Sequence, residues 1–151
     1  MQGRSTTLLD ILNIALGMLG VDPVTDYDTT NSTAADKAKR FMLLSIDKMQ
    51  RDYLWKELLV TFDTSEPVEL FFIRREDNPT KWSSELEECV AICVAMRACF
   101  LVTDNQPLLD QLRGDLFSLT LPKARELQSK YARNYNRHLP SGFSNLRARI
   151  G

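Results

Sequence analysis

The residues able to do chemistry are few in kind and scattered along the chain. Cys89, Cys93 and Cys99 fall close together, the first two a helical turn apart. Thiolates at that spacing can share a soft metal, but a structural zinc needs four converging ligands, and the single histidine, His138, lies far along the chain. Buried packing of three thiols is the expected use, with no disulfide under cytosolic redox conditions, no metal and no cofactor. The 20 Asp and Glu are spread over what read as solvated helix faces, so carboxylates brought close by chance carry no acid–base assignment. No Gly-rich phosphate loop, nucleophile elbow or His-bearing metal motif is present, and no enzymatic activity is expected. Trp55, Phe71 and Phe72 could stack nucleic-acid bases, but a helix end and a hairpin favour core packing for them.

Length and composition bound the elements that must hold these residues. A chain of 151 residues, 44% apolar, is long enough for one domain with its own core. No run approaches the roughly 18 apolar residues of a membrane span, and the opening Met1-Gln2-Gly3-Arg4-Ser5 lacks an apolar leader. A soluble protein made in a cytoplasm, with no membrane partner, is expected. The net charge of −1 hides an asymmetry. Residues 123–151 carry Lys123, Arg125, Lys130, Arg133, Arg137, Arg147 and Arg149 against one acid, Glu126, while the rest of the chain is acidic. Such a terminus is either a solvated basic helix or an interaction arm.

The pattern predicts a mainly α protein, a bundle of about four helices with one β-hairpin and an extended C-terminal arm. Over 34–55, Ala35, Ala38, Met42, Ile46, Met49 and Tyr53 recur at steps of three and four. They draw one stripe on a helix around which the chain is expected to organise, with Thr33 as N-cap. Upstream, Leu8, Ile11, Leu12, Ala15, Leu16 and Leu19 outline a helix opened by Thr7 and Asp10 and closed by Gly20. An exposed acidic loop over 25–33 joins the two. Beyond Trp55 the period shortens, and 58–62 and 68–73, separated by a turn-like 63–67, spell a β-hairpin over about 58–73. A two-stranded ribbon is marginal in water. The ribbon must therefore pack on the helices or add its edge to a neighbouring subunit, and Phe62, Leu70, Phe71 and Phe72 are expected to be covered in the second way.

Ser84 and Glu87 have the spacing of a capping box and start a third helix, expected to be the most buried, that runs to about 102. Pro107 opens a fourth, whose stripe through Leu112, Leu116, Phe117, Leu119, Ala124 and Tyr131 continues to about 135. Pro122 is expected to kink or break it near 119–122. The expected core is Leu12, Leu16, Met42, Ile46, Met49, Cys93 and Phe100. Residues 1–136 form the helical domain. From 137 to 151 no period survives, and the arm is expected to be loose until it meets a partner.

The order of these elements resembles the head-to-tail connector proteins of tailed bacteriophages, also called adaptors, head-completion proteins or, in short-tailed phages, tubular tail proteins. The likeness covers nearly the whole chain. It rests on the first helix ending in Leu19-Gly20, the following Val21-Asp22-Pro23-Val24, the helix bearing Arg40 and Ile46, and Trp55 opening a strand. The acid-preceded helix Glu87-Glu88-Cys89-Val90 to Phe100 and the Pro-started long helix before a loose arm complete it. The chain departs in its short segment between hairpin and third helix, where longer relatives carry an inserted domain, and in Pro122. The resemblance implies a structural virion protein of the neck. About twelve copies would form a ring below the portal protein, extend the DNA channel and present a platform to the tail nozzle. Genomic double-stranded DNA would pass through the lumen without sequence-specific binding. Leu139, Phe143, Leu146 and Ile150 would dock the arm on the portal or an adjacent subunit, with Arg147 and Arg149 facing carboxylates or DNA phosphates.

Two other readings compete. One is a small helical nucleic-acid-binding regulator using the basic helix 123–137, which salt-dependent DNA binding would reveal. The other, a cell-wall hydrolase, lacks converging catalytic groups. Deleting residues 138–151 is expected to leave the melting temperature almost unchanged while portal binding is lost in co-sedimentation. Undiminished binding by the truncated chain would remove the docking role.

Overall fold

A computed structural model describes residues 6–52, 55, 58–62, 70–73 and 75–136, and within these the side chains of 59–62, 70–73 and 129–136 are outside the description. The fold is a mainly helical bundle. Helix α1 (Leu8–Met18) begins where the sequence says it should. The Thr7 hydroxyl accepts from the Asp10 amide at 3.3 Å, and the Asp10 carboxylate accepts from the Thr7 amide at 2.8 Å. Two amides that the helix start would leave bare are thus satisfied. At the other end Gly20 takes φ +70°, which lets the Val21 amide donate back to the Leu16 carbonyl at 2.9 Å.

The stripe expected over 34–55 is present but is carried by two helices, α2 (Thr33–Lys39) and α3 (Met42–Asp52). The α2 cap is Ser32, whose hydroxyl accepts from the Ala35 amide, and Thr33 is already helical. At the junction the Phe41 amide donates to the Ala38 carbonyl, a tighter turn than the α pitch, so the chain bends without losing its inward face. Ala35, Ala38, Met42, Ile46 and Met49 remain wholly buried on both sides of the bend. Tyr53 lies outside the described residues.

The organising element is instead α4 (Ser84–Val102). Every residue from Cys89 to Ala95 is buried, and seven consecutive helical positions sweep the whole circumference. Helices α1, α2 and α3 pack on it, as does α5 (Gln106–Gly114), with Ala91, Ala95 and Ala98 allowing close approach. The α2–α3 pair runs antiparallel to α4. The Lys37 ammonium donates to the Leu101 carbonyl at one end, and at the other the Gln50 amide clasps the Glu76 backbone just before α4 begins. The α4 cap is Ser83 rather than the expected Ser84. Two adjacent serines offer the same hydroxyl, and the extended backbone falls at Ser83 because Trp82 before it is buried and donates to the Glu76 carbonyl.

Phe100 departs from the expected core: it is 64% exposed. The turn out of α4 folds back over Cys99, with Thr103 and Asp104 both donating to the Cys99 carbonyl and Asp104 held at φ +48°. That turn covers the Cys99 side and leaves Phe100 and Leu101 open. The other six expected core residues are buried. The long last helix neither breaks nor stays α throughout. Between α5 and α6 (Leu121–Asn136) the chain passes through a π-helical stretch, Asp115–Thr120, in which the Leu121 amide donates to the Leu116 carbonyl, five residues back. Pro122 has no amide to give and would clash with the carbonyl four residues before it, and the wider turn just upstream accommodates it. The stripe splits here: Leu112, Leu116 and Ala124 are buried, while Phe117 and Leu119 are exposed.

Two short strands complete the described backbone. β1 (Leu59–Phe62) pairs antiparallel with β2 (Leu70–Ile73), with Phe62 opposite Leu70, Thr61 opposite Phe71 and Val60 opposite Phe72. The residues that would close this ladder into a hairpin lie outside the description. Ile46, wholly buried on α3, tests the packing. Ile46→Ala is expected to lower the unfolding free energy in urea by about 2–5 kcal/mol. A change below about 0.5 kcal/mol would mean that this face is not enclosed.

Candidate functional site: docking surfaces

The three cysteines are wholly buried and free. Cys89 and Cys93 lie one turn apart on α4, and the Cys99 thiol further along lies 3.4 Å from the Thr103 hydroxyl and 3.6 Å from the Asn105 carbonyl. Burial pushes the Cys89 thiol up to about 12, with the charges of Glu88 and Glu85 adding to it. A metal ligand or nucleophile must be a thiolate, and at neutral pH Cys89 is a protonated, apolar filler. Among the described residues no group of three or more His, Cys, Asp or Glu could hold a metal ion. His138 lies outside them.

Where α1 and α4 start side by side, Glu87 faces Asp10. Burial raises the Glu87 carboxyl above its usual range, a hydrogen bond with Thr6 opposes this, and the Asp10 charge adds to it. The Asp10 carboxylate is committed to the Thr7 cap, so these two acids belong to the packing of helix starts. Trp55 is likewise structural: it is buried and its indole donates to the Met49 carbonyl at 2.7 Å.

The docking residues expected from the sequence fall at the edge of what is described. Leu139, Phe143, Leu146, Arg147, Arg149 and Ile150 lie outside the described residues. Phe62, Leu70, Phe71 and Phe72 are placed by backbone only, at the register positions given above. On α6, Lys123 and Arg125 are exposed.

Surfaces that the sequence reading missed are more fully drawn. Leu43 and Leu44 on α3 are 59% and 55% exposed, and Phe100 and Leu101 stand uncovered at the end of α4. Beside them on the same face, one turn earlier, is Arg97. Its Nε is shut away from water without a hydrogen-bond partner among the described residues. A lone arginine inside an apolar run was the available signal. A second feature is an open groove of about 480 Å³ between the end of α1, the first half of α4 and the α5–α6 junction. Its walls include Ile92, Leu112 and the 65% exposed Leu119, and Glu88, Asp115 and Lys123 supply charge. No helix among the described residues is long and apolar enough to cross a membrane.

The Cys89 assignment has a pH signature. A thiol whose pKa rises from 9.0 to about 12 on folding stabilises the native state below pH 9, and this contribution fades as pH climbs toward 12. Relative to Cys89→Ala, the native chain is expected to lose up to about 1.4 kcal/mol of unfolding free energy per pH unit across that window. Parallel pH profiles would show that the thiol is not buried as described.

Compared with protein-family models, curated proteins and solved structures, the chain matches none of them.

Proposed function

We propose that the chain is a structural head-to-tail connector subunit of a tailed bacteriophage virion, non-enzymatic, assembling as a ring between the portal and the tail. The observation that carries this reading is the order of elements and their ends. A short capped helix closed at Gly20 is followed by a second helical stripe ending at the buried Trp55. A pair of short strands, a central helix and a proline-started last helix follow. It is supported by the exposed Leu43 and Leu44 on α3, Phe100 at the end of α4 and Leu119 before α6, since a ring subunit needs two different lateral surfaces. DNA would slide through the lumen of such a ring without base-specific contacts, and the acidic body suits that passage better than grip.

A narrower reading, DNA binding through α6, has the exposed Lys123 and Arg125 in its favour. The two separate in one set of measurements. With purified portal, the native chain is expected to form rings visible by cryo-electron microscopy, and Phe71→Asp is expected to keep its helicity by circular dichroism yet fail to assemble. Tight, steeply salt-dependent binding of the free chain to duplex DNA, with no ring on the portal, would replace the connector reading by the regulator.

A further inference from the structure

We infer that the C-terminal end of α4 is a knob by which one copy of this chain binds the next, and that the groove beside the first half of α4 is its socket. The inference deepens the ring reading and rests on it. Phe100 and Leu101 sit three and four residues beyond Arg97, so the three share one face at the helix end. Phe100 is 64% exposed and Leu101 46%, and one turn before them the Arg97 Nε is closed to water without an acceptor among the described residues. That enclosed Nε is out of a partner's reach, and a carboxylate from another copy would meet the outer guanidinium nitrogens of the half-buried Arg97. Aromatic and arginine side chains set among apolar neighbours are the usual energetic centre of a protein interface.

The socket has what the knob lacks. Ile92, Leu108, Leu112 and Leu119 give it apolar walls, and Glu88 and Asp115 bring two carboxylates against the single cation Lys123. A second copy is the occupant this charge pattern fits, an arginine with two apolar side chains entering an apolar groove that carries acids. The chain cannot fill its own socket. Ile92 and Phe100 lie on one rigid helix, about 12 Å apart along its axis, and the knob cannot bend back past its own turns. Knob and socket therefore meet only between copies, and a contact between two different surfaces repeats from subunit to subunit, giving a ring when its rotation closes.

Two variants at exposed positions test this without burdening the core: Phe100→Asp removes the knob and Leu119→Asp spoils the socket. Sedimentation velocity is run on the native full-length chain, on each variant alone and on an equimolar mixture. The native chain is expected to self-associate beyond the dimer, each variant alone to stay monomeric, and the mixture to stop at a heterodimer of twice the monomer mass. That pattern follows because the mixture holds one intact knob and one intact socket. Circular dichroism matching the native chain shows that both variants are folded. Arg97→Glu is expected to abolish association and Glu88→Arg to restore it in the double variant. A native chain that assembles while both variants assemble equally well overturns the knob and socket but leaves the ring reading standing. A native chain that stays monomeric to about 1 mM, enough to populate even a millimolar contact, overturns the knob and socket, and the presence or absence of rings on purified portal then decides the ring reading separately.

Discussion

A helix that is apolar on every side cannot be satisfied by one neighbour. From Cys89 to Ala95 α4 presents no residue that prefers water, so any fold of this chain must surround it. Helices α1, α2, α3 and α5 do so, each offering a single stripe, and each would be a marginal helix on its own at 7 to 11 residues. Their stability comes from the burial that α4 provides. The small residues Ala91, Ala95 and Ala98 let the surrounding helices approach, and the three buried thiols fill the spaces that larger side chains would overpack.

Burying one helix on all sides leaves the connections to be held by something other than apolar contact. Two amide side chains do this by matching both backbone groups of a single residue. Asn13 donates to the Val24 carbonyl and accepts from its amide, pinning the loop after α1 back onto that helix. Gln50, 2% exposed, makes the same pair of bonds with Glu76, and Trp82 adds a third to the Glu76 carbonyl. Removing Gln50 takes two bonds from the half-buried Glu76 backbone at a cost of about 1–3 kcal/mol, while its carbonyl keeps the bond from Trp82. The surface ion pairs, such as Lys48 with Asp52 and Arg75 with Asp77, are exposed and contribute far less.

Pro122 illustrates how a local conflict is absorbed. The last helix needs Leu112 and Leu116 on α4 and Ala124 on the same core, yet proline forbids the ordinary bond at its own position. Adding one residue to the preceding turns keeps the helix going and turns its face. Phe117 and Leu119 are carried outward by that rotation, and the groove beside Leu119 is its product.

The sequence by itself determined the features that depend on a few neighbouring residues. The Thr7–Asp10 cap, the Gly20 stop, the inward stripe from Ala35 to Met49 and the buried character of the third helix were all legible, because hydrogen bonds and periodicity of that range are written in adjacent positions. Tertiary structure decided the rest. Ser83 and Ser84 are equivalent as letters, and only the seating of Trp82 makes the first of them extended. Phe100 has the same period as the core residues before it, and its exposure follows from the direction in which the chain leaves α4 through Thr103 and Asp104. The candidate site belongs to this second class. Arg97 and Leu119 become surface features only once the packed helices have covered everything else, and no local pattern records what remains uncovered.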